Sequence, residues 1–144
     1  MKSQTLYKKD ANLEELASVA AEIVSIIGRD AIVLLNGTLA AGKTTLVSYI
    51  AKVLGEGVAT SPTFSLQQCY GAEMFHYDFY RVEFEEILSL GLLEEFEKSG
   101  LHFIEWADPT LKELLLKAGL NLFELNIEII NSKSRKYILK ALDA

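Results

Sequence analysis

AIVLLNGTLAAGKTTLVSYIAKVLG, residues 31–55, joins an apolar run to a helical pattern through a glycine-bounded loop. The run AIVLLN shows no polar alternation, as expected of a strand buried on both faces. LVSYIAKVLG has helical spacing and is closed by Gly55. Between them lies Gly37-x-x-x-x-Gly42-Lys43-Thr44, a complete Walker A spacing. Such a loop turns backbone N–H groups toward phosphate oxygens, and glycine is needed where backbone and ligand approach closely. The helix that starts near Gly42 adds the positive end of its dipole. Lys43 has the reach and charge for β- and γ-phosphates, and the Thr44 hydroxyl is a magnesium ligand by type. A chance glycine turn would not need a buried strand before it and a helix after it.

Outward from this unit, residues 3–8 read as a short first strand. Asn12 with Glu15 three residues on is the pattern of a capping box. Leu13, Leu16, Ala17, Ala20, Ile23, Val24 and Ile27 then follow helical spacing until Gly28. On the other side, TFSLQQCY and EMFHYDFY flank Gly71-Ala72 as a hairpin with a tight turn. Acidic, helix-prone sequence runs from Glu83 to Lys98, interrupted by Gly91. LHFIE (101–105) is a second short buried-strand candidate, and Pro109 suits the first turn of a helix ending near Ala118. LFELNIEII and RKYILKAL around NSKS predict a closing hairpin. These units predict an α/β fold: a P-loop NTPase-like three-layer sandwich with a mixed, mainly parallel central sheet and antiparallel hairpins.

The chain of 144 residues suits one domain, 1–144. Its net charge of −6 and scattered basic residues give no tract for a phosphate backbone, which argues against a stand-alone RNA binder. The single Cys69 excludes an internal disulfide and fits a reducing, cytoplasmic setting; as a residue it reads as a small buried hydrophobe. No membrane span is expected, because Glu14, Glu15 and Glu22 break the apolar stretch 13–27.

A phosphate loop needs an acid to hold a metal or orient water. Glu105 ends the strand LHFIE, as a Walker B acid ends its strand; Asp78 in HYDFYR shares a strand face with His76 and Tyr80. Alone, each acid would read as a solvated carboxylate or a helix cap. Ser61 and Thr63 of SPTF are hydroxyls in a loop that could respond to a γ-phosphate, or simply part of a turn. Trp106 beside Glu105 lines the site or packs. Arg81 and Arg135 are candidate phosphate cations or surface ion-pair partners. Neither His76 nor His102 has zinc-ligand spacing.

NGTLAAGKTTL, SPTF, HYDFYR and FIEW, in this order over residues 36–106, closely resemble the TsaE family, the small bacterial ATPase of tRNA threonylcarbamoyladenosine (t6A) synthesis. The N-terminal helix and the closing hairpin fit the same layout. The resemblance implies that Ala40, Ala41, Gly42, Lys43, Thr44 and Thr45 form the phosphate cradle for ATP, and that Thr44 and Glu105 are the Mg2+-site residues. It places Asp78 as the acid of the H-x-D-x-Y-R motif, implicated in turnover, and Trp106 next to the metal-site glutamate. Arg135 falls where the family tends to carry a basic residue near the nucleotide, a weaker match. TsaB and TsaD are the implied partners, with tRNA contacted mainly through them, and the ATPase supports repeated turnover of their complex.

Two positions depart from the family's usual G-D-L-G-A-G-K-T: Thr38 replaces the acid and Ala40 a glycine. The Ala40 methyl bears on nucleotide affinity if the loop needs glycine dihedrals there. Gly42-Lys43-Thr44 is intact, and ATP binding is expected. Two alternatives stay open on residues alone: a small-molecule kinase, for which only Arg29, Arg81 and Arg135 are available as clamps, and a nucleotide-binding interaction module with negligible hydrolysis.

Overall fold

A computed structural model describes residues 1–38, 40–56 and 66–143. Ser61 and Thr63, the loop hydroxyls of the sequence reading, lie outside the described residues. Seven strands form one sheet: β1 (Lys2–Asn12), β2 (Ala31–Asn36), β3 (Gln67–Cys69), β4 (Met74–Asp78), β5 (Leu101–Glu105), β6 (Leu122–Ile129) and β7 (Ser134–Asp143). The helices are α1 (Leu16–Ile27), α2 (Lys43–Val53), α3 (Phe84–Ser89), α4 (Leu92–Glu95) and α5 (Pro109–Lys117). The strand order is β1-β7-β6-β2-β5-β4-β3. The central β6, β2, β5 and β4 run parallel, while β1 and β7 at one side and β3 at the other pair antiparallel. This is the expected mixed α/β sheet.

Strand β2 shows why the layers form. Its side chains alternate between two cores: Val33 and Leu35 pack with Val19, Ile23, Leu46 and Ile50 of α1 and α2. Ile32 and Leu34 pack with Ile87, Leu92, Leu111 and Leu115 of α3, α4 and α5. A strand covered on both faces has no polar side to show, hence its continuous apolar run. The parallel neighbours bring the carboxyl ends of β2, β5 and β4 to one edge, where ligands of open α/β sheets bind.

Local signals fix the ends. The Asn12 side chain accepts from Glu15 N at 3.1 Å while Glu15 Oε1 accepts from Asn12 N at 3.1 Å, the expected capping box, here on a 3-10 turn (Leu13–Glu15) leading into α1. Gly28 closes α1 at φ 75°. Pro109 stands in the first turn of α5, behind the Asp108 cap.

Two elements differ from the sequence reading. β1 is longer than residues 3–8, because it pairs with β7 from Lys2↔Asp143 to Asn12↔Ser134. The second arm of the hairpin about Gly71 is shorter than read: β4 stops at Asp78, where Phe79 N turns to Glu105 O and Val82 N to Phe79 O; residues 63–65 of the first arm lie outside the described residues. The acidic segment agrees with its reading: it forms two short helices with Gly91 between them at φ 73°. Among the described residues no helix is long and apolar enough to cross a membrane.

Burial also sets a pH response. His102 is only 1% exposed; Tyr77 Oη and the Lys98 carbonyl occupy its two ring nitrogens at 2.8 Å each. Burial pulls its pKa below the ordinary 6.5, against the opposing Lys98 carbonyl and the charges of Asp30 and Glu95. Once the pH drops below about 6.5 the unfolded chain therefore binds more protons here than the folded one, and stability falls until the folded pKa is passed. Denaturant titrations from neutral pH to about pH 5.5 should show this decline, with a shallower slope in His102→Phe. Equal slopes would contradict the assignment.

Candidate functional site

The loop from Gly37 to Gly42 carries the chain from β2 into α2. A Cβ on Gly37 would lie 2.8 Å from the Ile127 carbonyl oxygen and 2.9 Å from the Ala41 Cβ. Gly42 caps α2 at φ 100°, a left-handed conformation that glycine enters without a Cβ penalty. Ala41 N closes the loop onto Thr38 O at 3.0 Å. The first N–H groups of α2 have no acceptor within the helix and open onto a cavity of about 240 Å³ lined by Ala40, Gly42, Lys43, Thr44, Thr45 and Glu105. Ala40 is exposed on its rim. The predicted cradle residues are thus together.

Glu105, at the carboxyl end of β5, is the centre of the polar contacts and is 4% exposed. Thr44 Oγ1 donates to Glu105 Oε2 at 2.9 Å, and His76 Nε2 donates to the same oxygen at 2.5 Å. Lys43 Nζ stands 4.0 Å from Glu105 Oε1. Burial alone pushes the Glu105 carboxyl up, but the contacts with His76, Thr44 and Lys43 outweigh it and hold the group below its ordinary value. Glu105 is therefore ionised at neutral pH. For Lys43 burial prevails: it pulls the ammonium below its ordinary value against the pull of Glu105 and Asp78. Thr44 and Glu105 offer hard oxygen ligands at one point, a donor set that fits magnesium.

Lys43 Nζ donates to Gly37 O at 2.9 Å and lies 3.7 Å from the centre of the Trp106 ring. Trp106 reaches it through a left-handed backbone, φ 62°, immediately after Glu105. For a bulky residue that conformation costs on the order of 1–3 kcal/mol, a strain typical of functional sites. Tyr80 packs against Trp106, ring centres 5.0 Å apart, and Arg81, also left-handed at φ 58°, lies over Tyr80. Asp78 is opposite Glu105 in the β4–β5 register but is exposed. Its Oδ1 accepts from Tyr80 N at 3.1 Å, and it lines a second cavity, about 480 Å³, with Thr44, His76 and Tyr80.

Arg135 is placed beside the cradle by β7. Its Nε donates to Ala41 O at 3.1 Å, and its Nη1 donates to Asn131 O and Ser134 O. It ties the β6–β7 hairpin to the phosphate loop. A third cavity, about 450 Å³, opens there between the hairpin and the turn after β1; Asn12, Leu13, Glu14, Gly42, Thr45 and Lys133 are among its walls. By sequence Asn12 is a helix cap only. The pairing of β1 with β7 brings that turn to the cradle, a long-range contact that no local motif announces.

A glycine-bounded loop between the first parallel strand and its helix, with an acid at the end of the adjacent strand, defines a P-loop-like α/β protein. A solved structure of similar fold is YdiB from Bacillus subtilis, with a TM-score of 0.70 and 26% identity over 98% of this chain and 88% of that one. The family model described as threonylcarbamoyl adenosine biosynthesis protein TsaE matches residues 10–137. The tRNA threonylcarbamoyladenosine biosynthesis protein TsaE of Rickettsia conorii is 40% identical over 128 residues, 85% of this chain and 70% of that protein. The corresponding protein of Rickettsia bellii is 36% identical over 141 residues, 94% of this chain and 92% of its own. The chain belongs to the TsaE family, and with it to tRNA t6A biosynthesis.

Proposed function

We propose that the chain is the magnesium-dependent, ATP-binding and ATP-hydrolysing component of t6A synthesis, working in the cytoplasm with TsaB and TsaD and meeting tRNA mainly through them. The observation that carries this reading is the Thr44–Glu105 contact at the foot of a glycine-bounded loop, 2.9 Å between two magnesium-type ligands. Thr44 and Glu105 would hold the ion, which supplies charge neutralisation to the phosphates when bound. Lys43 would exchange Gly37 O for phosphate oxygens, and the N–H groups at the start of α2 would hold the remainder. Trp106 covers Lys43 and excludes water from it. Asp78, beside Thr44 but outside the cradle, suits orientation of the attacking water. The cavity at Arg135 and Asn12 adjoins the cradle through Gly42 and Thr45 and has room for the nucleoside.

Phosphate release from ATP with Mg2+, measured with and without the TsaB–TsaD pair, tests the reading. Slow release alone and faster release with the pair is the expected result. Release indifferent to the pair would favour a bare nucleotide-binding module, and a phosphorylated acceptor in place of free phosphate would favour a kinase.

A further inference from the structure

Behind the site, on the opposite face of the sheet, a line of buried polar groups crosses β3, β4 and β5. Gln67 and Tyr77 are direct partners in the β3–β4 register, and Gln67 Nε2 donates to Tyr77 Oη at 3.2 Å. His102 Nε2 faces the Lys98 carbonyl at 2.8 Å, which can only accept, so that nitrogen carries the ring proton. His102 Nδ1 is then the acceptor, and Tyr77 Oη–H donates to it at 2.8 Å. The other Gln67 amide hydrogen goes to Glu95 Oε1 at 3.1 Å, and Glu95 in turn pairs with Lys98 at 2.8 Å. Every donor in the line points the same way, from Gln67 through Tyr77 and His102 to Lys98, an arrangement in which each bond polarises the next. Tyr77 is fully buried, Gln67 and His102 are each 1% exposed, and the ring of His102 stacks between Phe75 and Tyr77.

An apolar core needs none of these groups, and apolar residues of the same shape would fill the space without desolvation cost. What the relay adds is direction. Tyr77 stands between His76 and Asp78 on β4, so its side chain points away from the site while theirs point into it. Fixing the Tyr77 hydroxyl at two points fixes the rotation of β4 about its own axis, and with it the aim of His76 at Glu105. It also clamps β3, only three residues long, onto β4. We propose that Gln67, Tyr77 and His102 are positioning residues for the nucleotide site: their relay holds β4 so that His76 keeps Glu105 on Thr44 and Asp78 stands beside them. The inference rests on the nucleotide-hydrolysis reading for its catalytic consequence, though not for the alignment itself.

The test uses the full chain with Gln67→Leu, Tyr77→Phe and the double variant; Tyr77→Phe removes one oxygen and keeps the fold if the glutamine change does not. Two readouts need no nucleotide: backbone amide exchange along β3 and β4, and the His76 ring N–H signal by NMR. Both should report loosening, with faster exchange and a shifted or weakened His76 signal. Turnover should fall about ten- to a hundredfold, the scale of a small misplacement of catalytic groups. ATP affinity should stay at the parent value, because the cradle belongs to β2 and α2. The double variant should be no slower than Tyr77→Phe alone. Unchanged exchange and an unmoved His76 signal would overturn the positioning role, as would parent-level turnover in a variant whose strands had loosened. A parent protein that releases no phosphate would sink the nucleotide reading instead, and the exchange and NMR results would still decide the relay.

Discussion

Lys43→Ala should bind ATP about a hundredfold more weakly, the largest effect expected of any single change in the cradle. The ammonium sits among the groups that would receive phosphate on the proposed reading: it is bonded to Gly37 O at 2.9 Å and covered by Trp106. Charge-assisted hydrogen bonds contribute about 1.5–3 kcal/mol each, and about 1.4 kcal/mol is tenfold in affinity. Removing two such bonds to phosphate, offset by the Gly37 bond that the ammonium gives up on binding, amounts to roughly a hundredfold. The fold should survive, because Glu105 keeps His76 and Thr44 as donors. Calorimetry with ATP and Mg2+ measures the effect directly, and parent-like affinity in a folded variant would remove Lys43 from the phosphate site.

Glu105→Gln should reduce magnesium-dependent hydrolysis about a hundredfold or more while weakening nucleotide binding far less. The amide keeps the size of the side chain but not its charge: its oxygen can still accept from His76 and Thr44, but its NH2 then replaces the oxygen that faces Lys43. On the proposed reading the carboxylate would act through the ion, so its loss would show in the chemical step. Asp78→Ala should slow turnover without disturbing the cradle, since the Asp78 side chain is exposed and, among the described residues, accepts from its own turn at Tyr80 N. Phosphate release at saturating ATP separates the cases. Near-normal release by both variants would reject the pairing of Glu105 with Asp78.

The legible parts of this fold are those encoded locally. Residues 31–55 contain strand, loop and helix in one reading frame, and the capping box at Asn12 and the proline of α5 mark helix starts by short-range chemistry. Glu105 is legible because a strand-ending acid after an apolar run has a physical reason to sit at the sheet's carboxyl edge. What escapes depends on pairing at a distance. The full length of β1 follows from β7, more than a hundred residues away, and most of β1 is exposed, so no strong apolar alternation marks it. The cavity wall at Asn12 and Glu14 exists only because that pairing closes. Gln67, Tyr77 and His102 read separately as ordinary strand residues, and only the registers of β3 on β4 and of β4 on β5 make them one relay. Arg135 is placed near the nucleotide by resemblance; its grip on Ala41 O is visible only in three dimensions.

The most direct measurement is a crystal structure of the chain with a non-hydrolysable ATP analogue and Mg2+. Phosphates are expected against the N–H groups at the start of α2, with Lys43 moved from Gly37 O to a phosphate oxygen and Thr44 and Glu105 at the ion. The nucleoside is expected in the cavity between Asn12 and the β6–β7 hairpin. A nucleotide bound elsewhere, or a cradle left empty at saturating analogue, would contradict the proposed site.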